Sequence, residues 1–111
     1  MASIVVVGSI NLDIVANASR LPTPGAKVTN AMLMQCPGGS GANQALAARR
    51  LGAKVALMGC VGRDAAADAA LALLREDGVD ISGVNAVPDA ATGVALIAVA
   101  TSGENQIVVA P

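Results

Sequence analysis

A continuous run of β-branched residues near the N-terminus, Ile-Val-Val-Val at residues 4–7, most constrains how this chain folds. An unbroken apolar run of this kind predicts a strand buried on both faces, as in the parallel sheet of an α/β domain. A second buried strand is predicted over 54–61, and helices over 42–51 and 65–77. Because strands alternating with helices of this length are typical of βαβ units, the sequence predicts an α/β fold with a mainly parallel sheet.

Further extended segments are predicted elsewhere in the chain. They lie at residues 13–19, 27–36, 83–87, 92–100 and 106–110. Some of them do not fit the alternation of strands and helices, and we assign these to a separate small sheet beside the main layer. No linker or repeat divides the chain, and its 111 residues suit a single domain.

The composition excludes several classes of function. The chain has no His, Phe, Trp or Tyr, so it cannot form a Ser-His-Asp triad, a zinc site built on His or an aromatic platform for stacked bases. A formal net charge of −1 gives no electrostatic footprint for nucleic acid or an acidic membrane. No apolar run is long enough for a signal peptide or a membrane span, so we expect a soluble, cytoplasmic protein.

Small apolar residues dominate the hydrophobic fraction, with 24 alanines and 14 valines. Each buries little area, so we expect a core of marginal stability. The complete absence of aromatic residues favours an engineered or simplified sequence. Cys36 and Cys60 have no second cysteine nearby, which predicts two free, buried thiols rather than a metal pair or a disulfide framework.

Polar residues after the first predicted strand form one candidate site. Ligands of open α/β sheets bind beyond the carboxyl ends of the strands, where Asn11 and Asp13 stand. Being two residues apart in extended backbone, their side chains point the same way and could bind adjacent hydroxyl groups of a sugar. The alternative is that both side chains satisfy amide groups of a turn, as Asn and Asp often do.

The second candidate is the glycine-rich turn Gly-Gly-Ser-Gly-Ala-Asn at residues 38–43, which opens directly into a helix. A Walker loop is excluded because no Gly-Lys-Ser/Thr follows, and a dinucleotide fingerprint fails because Gln44 stands where a glycine is needed. Two interpretations stay open: a turn that only starts the helix, and a site where backbone N–H groups approach a ligand.

Six segments of the chain together resemble the N-terminal third of the ribokinase-like carbohydrate kinase family. They are VVVGSINLD (5–13), LPTPG (21–25), GGSGANQA (38–45), ARRLGA (48–53), GCVGRD (59–64) and TGVALI (92–97). The match runs through the whole chain, in order and with the spacing of the family. It is therefore much more specific than any single motif.

The resemblance implies a sugar-binding role for five residues. Asn11 and Asp13 stand where family members bind ribose hydroxyls, Gly38 and Gly39 where the sugar lies against the chain, and Asn43 where a further sugar-binding Asn follows. The resemblance also implies a β lid near 13–20 and 27–36 that clasps a second subunit in the family. An unpaired sheet edge and an alanine-rich core lead us to expect a homodimer. It assigns no catalytic and no metal-binding residue to this chain.

Three departures from the family pattern concern this site and its surroundings. Ser40 stands where the family usually has Lys, which removes a cation and a donor from the sugar site. Ala26 replaces the usual acidic residue after Pro-Gly, and Ala65 and Ala66 stand where the family tends to have a bulky aromatic and a Gly.

Family members use ATP and Mg²⁺, with a monovalent cation, and phosphorylate ribose at its 5-hydroxyl through an Asp base in a Gly-Ala-Gly-Asp motif. No Gly-Ala-Gly-Asp occurs in these 111 residues. We therefore expect a sugar-binding portion that binds ribose weakly, uses no cofactor of its own and transfers no phosphoryl group alone. The alternative is a self-assembling structural α/β module that binds no ligand.

Overall fold

A computed structural model describes residues 2–111, which form seven strands and two helices. In chain order these are β1 (Ser3–Val7), β2 (Asn11–Ala18), β3 (Met32–Gly38), α1 (Ser40–Arg50), β4 (Lys54–Gly62), α2 (Ala65–Glu76), β5 (Asp80–Val87), β6 (Gly93–Ala100) and β7 (Asn105–Ala110). The predicted α/β class is confirmed. Both helices begin and end within two residues of their predicted bounds.

The first sheet is parallel, with the strand order β1-β4-β5. Its central strand β4 buries Val55, Leu57 and Val61 on the side that α1 and α2 cover. The opposite face is open, because Met58 of β4 is exposed there beside Val7 of β1. The fold thus buries one face of this sheet rather than two.

The prediction that residues 4–7 form a strand is confirmed, but the prediction that this strand is buried on both faces is wrong. Strand β1 lies at the edge of its sheet and, within residues 2–111, pairs only with β4. Val5 and Val7 are 64% and 77% exposed, whereas Val6 packs against the core. Its β-branched residues therefore reflect strand propensity and one apolar face, not two covered faces.

The second sheet has four strands in the order β3-β2-β6-β7, so it is larger than the small sheet that the sequence predicted. Strands β2 and β6 are parallel, and the two outer pairs are antiparallel. Strand β2 begins at Asn11, two residues before the predicted start, and β3 begins only at Met32. The sequence did not predict a sheet of four strands here, because the patterns of β6 and β7 are equally typical of strands in a main sheet.

A single core cluster fills the space between the helices and the sheets, and alanines make up much of it, as the composition predicts. The largest side chains that are fully buried are Leu57 and Leu74. Both thiols are free, but the prediction that they are buried is wrong for Cys60, which is exposed, while Cys36 is half-buried. Neither α1 nor α2 has the length or the apolar character needed to cross a membrane.

Side-chain hydrogen bonds and an ion pair connect the ends of the two helices to neighbouring segments. The Arg49 guanidinium donates to the carbonyls of Asp77 (3.1 Å) and Ala53 (3.2 Å), and Arg50 forms an ion pair with the Asp77 carboxylate at 2.9 Å. Asp64 accepts a hydrogen bond from the Ala67 amide at 2.9 Å and so caps α2, as predicted.

Leu74→Ala tests how far this alanine-rich fold depends on its few large core residues. We expect a loss of about 2–5 kcal/mol in the free energy of unfolding, because the cavity cannot be refilled by neighbouring alanines. Leu51→Ala is the matched control, since Leu51 is 89% exposed, and we expect a change within about 0.5 kcal/mol. Urea unfolding followed by circular dichroism measures both. Equal effects would contradict the assignment of the core.

Candidate functional site

The two sheets meet where two glycine-containing segments touch. One segment, Gly8–Ile10, joins β1 to β2, and the other, around Gly39–Gly41, joins β3 to α1. A Cβ on Gly41 would lie 2.6 Å from the carbonyl carbon of Gly8, and a Cβ on Gly8 would lie 2.9 Å from Cα of Gly41. The backbones therefore pack directly against each other, which only glycine allows at both positions.

Ser9 fixes the start of α1 in this junction. Its hydroxyl accepts a hydrogen bond from the Ser40 amide (3.0 Å) and lies 3.1 Å from the Ser40 hydroxyl, and its carbonyl accepts from the Ala42 amide at 3.1 Å. Gly39 precedes the helix with a φ of 89°. The first turn of α1 thus donates two N–H groups within the chain, which supports the interpretation that the turn starts a helix.

Asn11 and Asp13 project from the same face of β2, because side chains of a strand alternate. Gly38 of β3 and Gly93 of β6 lie directly opposite Asn11 on its two sides. A Cβ on Gly38 would overlap the Asp13 carboxylate, and a Cβ on Gly93 would overlap Oδ1 of Asn11. Each polar side chain therefore lies over a glycine of a neighbouring strand.

The polar atoms of these two side chains are free for a ligand. Within residues 2–111, neither side chain forms a hydrogen bond or an ion pair, although both are only half exposed. The alternative that Asn11 and Asp13 satisfy turn amides is therefore wrong. Burial raises the pKa of Asp13, and burial together with the Asp13 charge raises the pKa of the Cys36 thiol directly across from it.

Four of the five expected residues meet in this one place, and the fifth lies a helical turn away. Gly39 touches the junction, because a Cβ there would lie 2.7 Å from the Ser9 carbonyl oxygen and 3.1 Å from the Asn11 amide nitrogen. Asn43 is exposed in the first turn of α1, and its amide donates to the Gly39 carbonyl at 2.9 Å. Asn43 is thus joined to the group through the backbone.

An open cavity of about 270 Å³ adjoins Asn11 on the side of the first sheet. Gly93, Cys60 and Pro111 also line it. Asp13 does not border this cavity, and its partly exposed carboxylate lies over Gly38 of the second sheet. The arrangement therefore offers a small polar ligand two neighbouring surfaces, one beside Asn11 and one over Asp13 and Gly38.

Sequence reasoning missed Gly93 and Ser9 as parts of this site. A glycine inside an extended segment often marks a close approach of another group, so Gly93 could have been flagged on that signal. Nothing in the sequence shows that Ser9 would cap a helix that begins 31 residues later. That contact exists only because the two sheets meet there.

Comparison with known proteins gives the family. The pfkB family carbohydrate kinase profile matches residues 1–111, and the chain belongs to this family. The chain is 42% identical over 108 residues to ribokinase of Haemophilus influenzae, covering 97% of this chain and 35% of that protein. It is 40% identical over 113 residues to ribokinase of Schizosaccharomyces pombe, covering 96% and 36%. The chain thus spans about a third of the length of these relatives.

Solved structures give the same picture. The ribokinase structure from Giardia lamblia is similar with a TM-score of 0.82 and 37% identity, over 99% of this chain and 34% of that one. The structure of Arabidopsis thaliana ribokinase complexed with ribose and ATP has a TM-score of 0.76 and 33% identity, over 99% and 36%. The chain therefore has the same fold as the part of these ribokinase structures that it matches.

Gly38→Ala tests whether the glycine of β3 holds the Asp13 carboxylate in its half-buried place. The new methyl group must push the carboxylate toward water, so we expect the pKa of Asp13 to fall toward the ordinary value of an aspartate. Gly93→Ala displaces Asn11 instead and is expected to leave the pKa of Asp13 raised. A carbon-detected NMR titration of the Asp13 carboxyl measures both variants. An unchanged pKa in Gly38→Ala would contradict the geometry.

Proposed function

We propose that this chain is the sugar-binding portion of a ribokinase-like kinase, whose whole reaction is ATP-dependent phosphorylation of D-ribose at the 5-hydroxyl. The observation that carries the proposal is that Asp13 lies over Gly38 and Asn11 over Gly93, and that neither polar side chain has a hydrogen-bond partner within residues 2–111. A half-buried polar group without a partner gains most from a ligand that brings hydrogen bonds.

A sugar matches this arrangement chemically. The Asp13 carboxylate accepts hydrogen bonds from hydroxyl groups, and the Asn11 carboxamide both donates and accepts. Gly38 and Gly39 belong to the proposed site because they let the Asp13 carboxylate and the Ser9 carbonyl approach closely, and Asn43 adds a second carboxamide from α1. The Arabidopsis thaliana ribokinase structure, complexed with ribose and ATP, supports ribose as the first ligand to test.

Binding by this chain is proposed to be weak. Ser40 supplies no cation, and its hydroxyl already lies 3.1 Å from that of Ser9. The raised pKa of Asp13 also shows that burial acts on the carboxylate without a compensating positive charge. Neutral hydroxyls replace such a charge only in part, because hydrogen bonds to a charged partner are the stronger ones.

The residues of this chain do not fit a site for ATP and Mg²⁺. The first turn of α1 donates its amides to Ser9 rather than presenting them to a phosphate, and residues 2–111 contain no cluster of three metal-ligating side chains. We therefore propose that the 111-residue chain alone transfers no phosphoryl group. A cytoplasmic location belongs to the same proposal, in keeping with two free thiols.

A structural role is the second candidate, and the second sheet favours it. Its outer strands expose large apolar side chains: Met32, Leu33 and Met34 on β3, and Ile107, Val108 and Val109 on β7. Consecutive residues of a strand point to opposite faces, so both faces of this sheet are apolar. We propose that the sheet pairs with a second copy of the chain and gives a homodimer. If the chain binds no sugar, this association is its only proposed function.

Ribose-dependent thermal stability tests sugar binding. A ligand that binds only the folded chain adds about 1.4 kcal/mol at about ten times its Kd, so we expect a higher melting temperature with ribose. Asp13→Asn removes the charge and is expected to abolish that gain, whereas Asp89→Asn, the same change in an exposed loop, keeps it. Concentrated sugars stabilise folded proteins in general, and this effect raises the melting temperature of all three proteins alike. Comparing them separates that effect from specific binding. Equal gains in all three proteins would overturn sugar binding and leave the structural role.

Phosphoryl transfer is tested by incubating the chain with ribose, ATP and Mg²⁺. We expect ADP release no faster than in a sample without protein, because the 111 residues contain no Gly-Ala-Gly-Asp motif and the first turn of α1 donates its amides to Ser9. Turnover above that level that disappears in Asp13→Ala would contradict the proposed inactivity.

Light scattering at micromolar concentration tests the homodimer. We expect twice the mass of the 10.8 kDa chain, because the apolar side chains of β3 and β7 are better buried than hydrated. Met34→Lys and Val108→Lys place a charge on opposite faces of the sheet, and at least one is expected to restore the monomer. A monomeric parent chain with a cooperative melt would rule out this association.

A further inference from the structure

We propose that Thr92 and Asp64 are positioning residues that fix where the Asn11 carboxamide lies, although neither belongs to the group of five sugar-contact residues. The inference rests on the proposed function, because Asn11 is the residue through which it reaches the sugar. The geometry that carries it is a hydrogen-bonded bracket between the start of α2 and the start of β6.

The bracket joins three parts of the chain through one hydroxyl and one carboxylate. The Thr92 hydroxyl donates to Oδ1 of Asp64 at 2.6 Å and accepts from the Gly62 amide at 2.9 Å. The Thr92 amide donates to Oδ2 of Asp64 at 2.8 Å. A helix cap needs only the bond from Ala67 to Asp64. The two further bonds to Thr92 therefore serve to hold β6.

Burial makes the bracket rigid. Thr92 is 4% exposed and is the one buried polar side chain among residues 2–111. A Cβ on Gly62 would overlap the Ala90 carbonyl, so the strand end and the segment before Thr92 are packed backbone to backbone. The three hydrogen bonds also hold the pKa of Asp64 below its ordinary value.

The bracket reaches Asn11 through the next residue along the chain. Thr92 precedes Gly93, the first residue of β6, and Gly93 lies directly opposite Asn11 in the second sheet. Oδ1 of Asn11 occupies the space that a Cβ on Gly93 would need. Since the Asn11 side chain has no hydrogen-bond partner within residues 2–111, we infer that the backbone at Gly93 defines its position.

Three variants of the isotopically labelled chain test the bracket without any sugar. Thr92→Val keeps the shape of the side chain and removes both hydroxyl bonds, so we expect the Asn11 side-chain amide and the Gly93 backbone amide to shift in the NMR spectrum. Thr92→Ser keeps the hydroxyl and is expected to restore both signals. Thr101→Val is the matched control, because that hydroxyl is exposed at the far end of β6. Unshifted Asn11 and Gly93 signals in a folded Thr92→Val would overturn the inference.

A ribose titration then separates this inference from the proposed function. With binding in the parent chain, we expect the Kd of Thr92→Val to rise about tenfold, corresponding to one lost hydrogen-bonded contact, and that of Thr92→Ser to stay close to the parent value. If the parent chain binds no ribose, the proposed function fails while the sugar-free spectra still decide the inference. If Thr92→Val binds ribose as the parent does, the inference fails alone. If Thr92→Val does not fold, Asp64→Asn gives the same sugar-free readout.

Discussion

The close contact between Gly8 and Gly41 is the constraint on which the rest of the structure depends. It lets the segment leaving β1 and the segment entering α1 cross without a side chain between them. That crossing allows Ser9 to cap α1 beside the point where β2 and β3 pair in the second sheet. The candidate site follows from this contact, since β2 leaves it with Asn11 and Asp13 opposite Gly38 and Cys36 of β3.

Polar side chains over glycines define what the site can do. Asp13 and Asn11 have neighbours that lack a Cβ, so each is held without being hydrogen-bonded. The burial that this causes raises the pKa of Asp13. The core behind this site is rich in alanine and has few large residues. Each contact between helices and strands therefore contributes a larger share of the stability.

Much of the fold could be predicted from the sequence, because strands, helices and caps depend on local patterns. The run at residues 4–7 and the Asp64 cap are examples. The exposure of Val5 and Val7 could not be predicted, since a strand at an edge and a strand in the centre share the same composition. The site residues came from a family resemblance, whereas the free state of Asn11 and Asp13 and the role of Gly93 depend on contacts across strands that no local pattern records.

Sugar binding by the polar pair on β2 is the proposal that connects this fold to a function. The most direct measurement is the two-dimensional ¹H–¹⁵N NMR spectrum of the labelled chain during a titration with ribose, which reports every backbone amide at once. We expect saturable shifts concentrated at Asn11, Asp13, Gly38, Gly39 and Asn43, with the amides of β7 unmoved. A spectrum that stays unchanged at those five residues, or shifts only on β7, would contradict it.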